Sequence, residues 1–342
     1  MNDFTKLMTK KSITVEETPY YVKILIYAMS GIGKTVLAGS APDLFIFTCE
    51  NGLLSLKNPN LKHIVNQKAK TFPLDNFIEM NAMYEFLYNH CILRDRLQKI
   101  LKQYAGKAKK DVPKEVVAKV SKLKDAIWSM EKGNSPRNGE EPRLYYCVAI
   151  DSLTELQKRS MDRILDIKHG TGMVDMNDAG DICAENDETP EGEEKQPLPI
   201  AEDDTTLITG FADFEVQAAT LPDYGSNTNQ MRKLVRAFRD LPMNVIFTAL
   251  EREVKDDVTG EMFTRPALTE KLAEDVLGYV DIVGYYYSKL VQVEGEPDRI
   301  DRVLQVQPFK NRQAKDRSGM LGNGVKNPTF TRIMNLITGI ES

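Results

Sequence analysis

A short segment near the N-terminus carries residues that could bind a phosphate. Residues 30–35 read Ser-Gly-Ile-Gly-Lys-Thr, between a β-rich run over 21–27 and an apolar segment over 36–39 that predicts a helix. Glycines let the backbone curl around an anion so that successive N–H groups point inward, and the start of a helix adds partial positive charge. Lys34 would reach the terminal phosphates of a nucleotide, and the Thr35 hydroxyl would ligate Mg²⁺. This layout predicts a phosphate-binding loop (P-loop).

One position departs from the usual P-loop pattern, which begins with a glycine. Ala28 stands there instead, and alanine can serve if the backbone at that position has a negative φ. A Gly-Lys-Thr that merely ends a loop is the alternative, but the flanking strand and helix favour the P-loop. The loop residues predicted to hold the nucleotide are Ser30, Gly31, Ile32, Gly33, Lys34, Thr35 and Val36.

A second apolar run, 144–150, ends at Asp151. A carboxylate at the carboxyl end of a buried strand, beside a P-loop, is the Walker B arrangement. Buried strands often end in Asp at a turn, so the pattern gains its meaning from the P-loop. Together the two motifs predict a Mg²⁺ site formed by Thr35 and Asp151.

Two further residues follow apolar runs in the same way. Glu50 follows the run 44–49 and is our candidate for the group that orients or deprotonates an attacking water. An ordinary loop carboxylate would have the same spacing. Thr248 lies near the end of the run 245–250 and could contact the terminal phosphate of a nucleotide, or it could simply favour the strand.

A cationic loop over 310–319 follows the last predicted core strand. Lys315 or Arg317 could enter the nucleotide site of a neighbouring subunit and stabilise negative charge on the phosphates in trans. A solvated basic loop has the same composition, and sequence spacing does not separate the two interpretations.

Length and charge limit the classes of function. The chain has 342 residues and a net charge of −5, which fits one large domain with insertions or two domains. The negative charge confines any DNA contact to a local patch.

The lack of a long apolar run predicts no membrane span, and the polar N-terminus favours a cytosolic protein. Four cysteines without C-x-x-C spacing and three histidines argue against a zinc site.

We predict a single α/β domain over 1–342 with two insertions. The first, 91–142, is a basic helical insertion, because 11 Lys/Arg face 4 Asp/Glu between residues 94 and 125. It would contact a phosphate backbone or be a solvated helix pair. The second, 170–210, is acidic, with 12 Asp/Glu and one Lys over 175–204, and is expected to be flexible.

Apolar patterning predicts the remaining elements. Strands are expected over 21–27, 44–49, 61–65, 144–150, 245–250, 280–287 and 303–306, helices over 75–89, 156–167, 231–239 and 330–340, and a β-hairpin over 251–266.

Several segments, taken in chain order, resemble the RecA-like ATPases of bacteriophages, a group of nucleotide-binding proteins associated with single-strand annealing and recombination. The resemblance implies a RecA-like P-loop NTPase core, with a mostly parallel sheet flanked by helices. It implies that Glu50 is the catalytic glutamate and that Lys315 and Arg317 act across a subunit interface. The matching segments are 30–35, 47–52, 148–155, 221–225, 245–249 and 314–319.

The resemblance also implies partners. The protein would bind ATP and Mg²⁺ between subunits of a ring or filament. It would act on single-stranded DNA in phage recombination or replication, by annealing or strand exchange, in the host cytoplasm, with a phage single-strand-binding protein as a further partner. The family's second DNA-binding loop would fall at 252–265, where Arg252, Lys255 and Arg265 are cationic; its first would lead into the acidic insertion, which speaks against DNA binding there.

Two alternatives remain open at this point. One is a nucleotide-switched module that loads or regulates a helicase or another phage or host protein, without direct recombination activity. The other is an NTPase that acts against host or phage proteins with no DNA role. No motif that would read the base, and so favour ATP over GTP, is evident in the sequence.

Overall fold

The structure is a computed structural model. It describes residues 20–50, 52–108, 111–133, 140–169, 219–255, 260–292 and 298–340. The predicted acidic insertion and the tip of the predicted hairpin at 256–259 lie outside the described residues.

Within the described ranges, ten strands form one central sheet. The strands are β1 (Lys23–Ala28), β2 (Leu44–Thr48), β3 (Lys70–Pro73), β4 (Cys147–Asp151), β5 (Asn244–Lys255), β6 (Met262–Pro266), β7 (Ile282–Val291), β8 (Arg299–Gln305), β9 (Lys315–Asp316) and β10 (Gly324–Lys326). Their order is β10-β8-β7-β1-β5-β4-β2-β3, with β6 beside β5 and β9 beside β7. The six strands from β7 to β3 are parallel to one another, and β6, β8, β9 and β10 are antiparallel additions.

Helices cover both faces of the sheet. They are α1 (Lys34–Gly39), α2 (Glu79–Gln103), α3 (Lys114–Lys132), α4 (Leu153–His169), α5 (Leu221–Arg239), α6 (Glu270–Tyr279) and α7 (Phe330–Thr338), with short 3₁₀ helices at Gly52–Lys57 and Pro59–Leu61. Apolar residues of α2, α4, α5 and α6 pack on one face, and those of α1 and α7 pack on the other. None of the helices in the described ranges is both long and apolar enough to cross a membrane.

Burial on both faces explains why the central strands are apolar throughout. Every residue of β1, β2 and β4 is buried, as expected of parallel strands with helices above and below. Odd and even positions face opposite cores: Leu25 and Tyr27 join one cluster, and Ile24 and Ile26 join the other. The predicted α/β fold, with a mostly parallel sheet between helices, is confirmed.

The register of the parallel strands places four segment ends at one edge of the sheet. Ala28 of β1 pairs with Leu250 of β5, and Thr48 of β2 pairs with Asp151 of β4. Because β5 lies between β1 and β4, the chain segments that follow all these strands emerge together. The predicted P-loop, the predicted metal ligands and Glu50 stand at that edge.

Three predicted elements differ from the structure, and one is the helix expected over 231–239, which begins at Leu221 as α5. The strand expected over 61–65 is wrong: this segment follows a 3₁₀ helix and forms turns, and the edge strand is β3. The helix expected over 75–89 begins at Glu79 and runs to Gln103 as α2, so residue 91, the predicted start of the basic insertion, lies inside it. The helix continues because apolar side chains recur along the face that it buries, through Leu97.

The start of α2 is capped by a reciprocal pair. The backbone N–H of Glu79 donates to Asn76 Oδ1 at 3.1 Å, and Glu79 Oε2 accepts from the backbone N–H of Asp75 at 2.9 Å. The bond from Glu79 satisfies a donor that the first helical turn leaves without a partner, and the bond from Asp75 holds the segment that leads into the helix.

A buried arginine fixes α2 to the sheet. The Arg94 side chain is fully buried, and its guanidinium donates to the carbonyls of Tyr145 and Pro242 at 2.6 Å each. It also lies 4.6 Å from the centre of the Tyr146 ring. Tyr145 precedes β4 and Pro242 precedes β5, so one side chain ties the helix to the amino ends of two strands.

Replacing Arg94 with Met is expected to destabilise the protein because two buried carbonyls lose their donors. Each orphaned carbonyl costs about 1–3 kcal/mol, so the free energy of unfolding should fall by roughly 2–6 kcal/mol in urea denaturation. Arg96→Met, at an exposed position of the same helix, is the control and should change it by less than about 0.5 kcal/mol. Equal effects of the two substitutions would contradict this role of Arg94.

Candidate functional site

The loop after β1 has the backbone of an anion cradle. Gly31 and Gly33 have φ of 79° and 105°, in the left-handed region that other residues enter only at a cost. Ala28 is the last residue of β1 and is not among the described residues with positive φ. A strand position needs no glycine, which explains how alanine replaces the first glycine of the motif.

Lys34 lies at the start of α1, against the loop. Its side chain is largely buried, and Nζ donates to the carbonyls of Ala28 at 3.1 Å and Met29 at 2.7 Å. Burial lowers the pKa of Lys34, while the carboxylates of Asp151, Glu50 and Glu251 act in the opposite direction. The lysine is thus a cation held between the loop and three carboxylates.

The two predicted metal ligands touch each other. Thr35 Oγ1 donates to Asp151 Oδ2 at 2.6 Å. The other carboxylate oxygen, Oδ1, accepts from Thr248 Oγ1 at 2.5 Å. A hydroxyl and a carboxylate oxygen are hard ligands of the kind that Mg²⁺ takes alongside waters and phosphate oxygens, so Thr35 and Asp151 fit a Mg²⁺ ion.

Thr248 has a place that the sequence did not indicate. It is fully buried in β5, and its hydroxyl contacts Asp151 rather than the loop. A hydrogen bond to the second oxygen of a metal-binding carboxylate fixes the orientation of that carboxylate. In this structure Thr248 therefore positions Asp151, and no described contact joins it to the loop where a nucleotide would bind.

Glu50 stands beside the Asp151 strand end. Its Oε1 accepts from Ser152 Oγ at 3.0 Å, and the backbone N–H of Cys49 donates to the carbonyl of Asp151 at 2.8 Å. Arg159 holds the same turn from α4, donating to the carbonyl of Cys49 at 2.7 Å. An exposed carboxylate is thereby fixed next to the candidate metal ligands.

The structure does not bring the two predicted trans-acting cations to this edge. β9 pairs with the start of β7, where Lys315 Nζ donates to the carbonyl of Leu277. Arg317 donates to the carbonyl of Gly278 at 2.7 Å and contacts Asp281 at 3.4 Å. Asp281 is hydrogen-bonded to Lys23 at the amino end of β1, so the length of β1, about 17 Å at 3.3 Å per residue, separates these cations from the P-loop.

Two residues to which the sequence pattern gave no role, Glu251 and Arg302, also lie at the site. Glu251 lies in β5 directly after the residues that pair with β1, and it acts electrostatically on Lys34. Like Asp151, it stands at the end of an apolar run, and this position could have indicated it from the sequence. Arg302 of β8 donates from Nε to the carbonyl of Ile32 at 3.1 Å. No local signal marks Arg302, because its contact depends on how β8 pairs with β7.

Comparison with known proteins agrees with the geometry. A family model described as an AAA domain matches residues 21–180 and 212–318, which include the P-loop, Glu50, Asp151 and Thr248. A search of curated proteins finds no match. The match covers more than half of the chain, and the chain therefore belongs to the AAA domain family of P-loop ATPases.

Proposed function

We propose that this protein binds and hydrolyses ATP with Mg²⁺ at the edge formed by β1, β5, β4 and β2. The observation that carries the proposal is the contact of Thr35 and Thr248 with the two oxygens of Asp151 beside the P-loop. This arrangement ties the loop to a carboxylate that is already oriented. Membership of the AAA domain family supports the same activity.

The residues of the chain have distinct roles in this proposal. Backbone N–H groups of the loop and Lys34 bind the phosphates, and Thr35 and Asp151 hold the metal ion. Mg²⁺, when bound, supplies positive charge that offsets the phosphates and the carboxylates around Lys34. Glu50 accepts a proton from the water whose oxygen attacks the terminal phosphorus, while the bond to the bridging oxygen breaks and ADP leaves.

Ser152 orients Glu50 in this mechanism. Its hydroxyl donates to one carboxylate oxygen of Glu50, which fixes the orientation of the carboxylate at the sheet edge. The strand end that carries Asp151 therefore also sets the direction of the candidate base.

Glu50→Gln should retain nucleotide affinity and lose most turnover, because the amide keeps the shape of the side chain but does not accept a proton. General-base catalysis is worth about 10²–10⁴-fold, and kcat should fall by that order. Steady-state turnover and calorimetric ATP binding measure the two effects separately. Glu85→Gln, at an exposed position of α2, is the control. Normal turnover in Glu50→Gln would move the role to another carboxylate, and Glu251 is the next candidate.

We further propose that the protein is a RecA-like phage ATPase that acts on single-stranded DNA during recombination or replication, by annealing or strand exchange. Arg252 and Lys255 are exposed on the part of β5 that extends beyond the site. The same strand contains Thr248, so the contact with Asp151 and the cationic extension belong to one element. Arg265 is not part of this surface, because it is buried and bonded to Glu270 at 3.1 Å.

A second cationic surface comes from α2 and α3. α3 packs on α2, and among its residues only Ile127 is buried, which leaves its lysines at the surface. This pair supports contact with a phosphate backbone over 91–142.

Assembly would complete the site. Lys315 and Arg317 are too far from the P-loop of their own chain to act there. Any contribution that they make to ATP hydrolysis would therefore be at the nucleotide site of a neighbouring subunit. We propose a ring or filament with ATP between subunits, and a phage single-strand-binding protein as a further partner. A module that loads or regulates a helicase or another phage or host protein is the second candidate function.

Single-stranded DNA should stimulate ATP turnover at low salt, and Lys34→Ala should abolish turnover with or without DNA. Removing one cation that binds a DNA phosphate should reduce the slope of the logarithm of the DNA-binding constant against the logarithm of the salt concentration by about 1. Arg252→Glu should therefore weaken DNA binding and make it less sensitive to salt. Lys62→Glu, an exposed charge change elsewhere, is the control.

The two candidate functions give different results in that assay. If single-stranded DNA leaves the rate of ATP turnover unchanged and no gel shift appears at low salt, the DNA role is rejected and the regulatory module is favoured. Normal turnover in Lys34→Ala would overturn the P-loop assignment itself.

A further inference from the structure

Arg302 lies against the P-loop. Its Nε donates to the carbonyl of Ile32 at 3.1 Å. A Cβ placed on Gly33 would stand 3.6 Å from the same nitrogen, so the guanidinium packs directly against the second glycine of the loop. Arg302 is exposed, which leaves this cation open to a ligand in the loop.

The backbone of Arg302 is fixed independently of its side chain. Its N–H donates to Asn327 Oδ1 at 2.9 Å, and its carbonyl accepts from the N–H of Asn327 at 2.6 Å. Asn327 Nδ2 in turn donates to Asp301 Oδ1 at 3.1 Å. Asn327 adopts a left-handed φ of 44°, which asparagine tolerates better than most residues. The arginine therefore projects from a rigid point on β8.

The guanidinium has unused donors. Of its three nitrogens, only Nε forms a hydrogen bond within the described part of the chain, so the four N–H groups of the two terminal nitrogens remain open. A planar guanidinium matches a phosphate group in two-point geometry. Such an arrangement beside a phosphate cradle is suited to bind an oxygen of the ligand.

The strand order indicates which phosphate of a bound nucleotide would lie next to Arg302. Asp151 of β4 and Glu50 after β2 stand on one side of β1, and that side holds the reacting end of the nucleotide in the proposed function. β7 and β8 stand on the other side of β1. In the proposed site the reacting phosphate lies by the metal ligands, so the phosphate attached to the nucleoside would lie toward β7 and β8.

We propose that Arg302 binds the α-phosphate of ATP and ADP, the phosphate attached to the nucleoside. This inference rests on the proposed ATP site and adds a binding residue to it. The charge on the α-phosphate changes little when the terminal phosphoryl group is transferred, so Arg302 contributes equally to substrate and transition-state binding. It raises affinity for the nucleotide and leaves the chemical step unchanged.

Arg302→Ala should therefore raise KM for ATP and weaken ADP binding by the same factor, about 10- to 100-fold for a charge-assisted hydrogen bond, with kcat unchanged. Arg302→Lys, which keeps the charge and loses the planar fork, should fall between wild type and Arg302→Ala. Arg96→Ala removes an exposed arginine from α2 and is the control for net charge. Steady-state kinetics and calorimetry measure these values.

A sulfur-substituted ligand tests the atom that is contacted. The two diastereomers of adenosine 5′-O-(1-thiodiphosphate) differ only in which α-phosphate oxygen is replaced by sulfur. The ratio of their dissociation constants should differ between the wild-type protein and Arg302→Ala, because one diastereomer directs sulfur at the guanidinium. A purely structural role of Arg302 would leave this ratio unchanged.

The outcomes separate this inference from the proposed function. If ATP and ADP bind Arg302→Ala as tightly as Arg96→Ala, or if the diastereomer ratio stays constant, the α-phosphate role is overturned while the ATP site stands. If the wild-type protein binds neither ATP nor ADP, both proposals are overturned. A fall in kcat at unchanged KM would also contradict the role, because it would place Arg302 in the chemical step.

Discussion

The register of four parallel strands is the constraint on which the site depends. β1, β5, β4 and β2 lie side by side with their carboxyl ends aligned, and a shift of one residue in any pair would turn its side chains to the opposite face. The alignment places Thr248 next to Asp151 and Asp151 next to the turn that bears Glu50. The chemical residues come from distant parts of the chain, and the register of the sheet brings them together.

Charge balance is the second constraint at this edge. Three carboxylates act on Lys34, and they stand where a triphosphate would add further negative charge. A nucleotide without a divalent cation would therefore meet repulsion that one lysine does not offset. The contact between Thr35 and Asp151 provides the place for that cation, so metal and nucleotide binding are expected to be strongly coupled.

The sequence alone could predict the residues at the ends of apolar strands. The P-loop, Asp151 and Glu50 each follow a continuous buried run, and parallel strands bring such ends to one edge. The same pattern predicted the class of the fold. The strand predicted over 61–65 was wrong because the apolar pattern of so short a segment does not distinguish a strand from buried turns.

The remaining features depend on tertiary contacts. The sequence left open whether Thr248 contacts a phosphate or only favours the strand, because a strand pattern gives the position of a residue along the sheet but not the partner of its side chain. Arg302 and Arg94 carry no local signal. Arg302 reaches the loop from β8, which lies two strands away from β1. Arg94 is a charged residue that can be buried because its guanidinium donates to two carbonyls and one tyrosine hydroxyl near the amino ends of the strands. Such contacts follow from the assembled sheet rather than from spacing along the chain.

The most direct measurement is the affinity for ATP with and without Mg²⁺, compared between the wild-type protein and Asp151→Asn. The amide preserves the shape of the carboxylate and removes its charge. We expect Mg²⁺ to tighten ATP binding to the wild type and Asp151→Asn to lose most of this gain, while metal-free affinity stays equal or improves. An undiminished effect of Mg²⁺ in Asp151→Asn would contradict the role of Asp151 as a metal ligand.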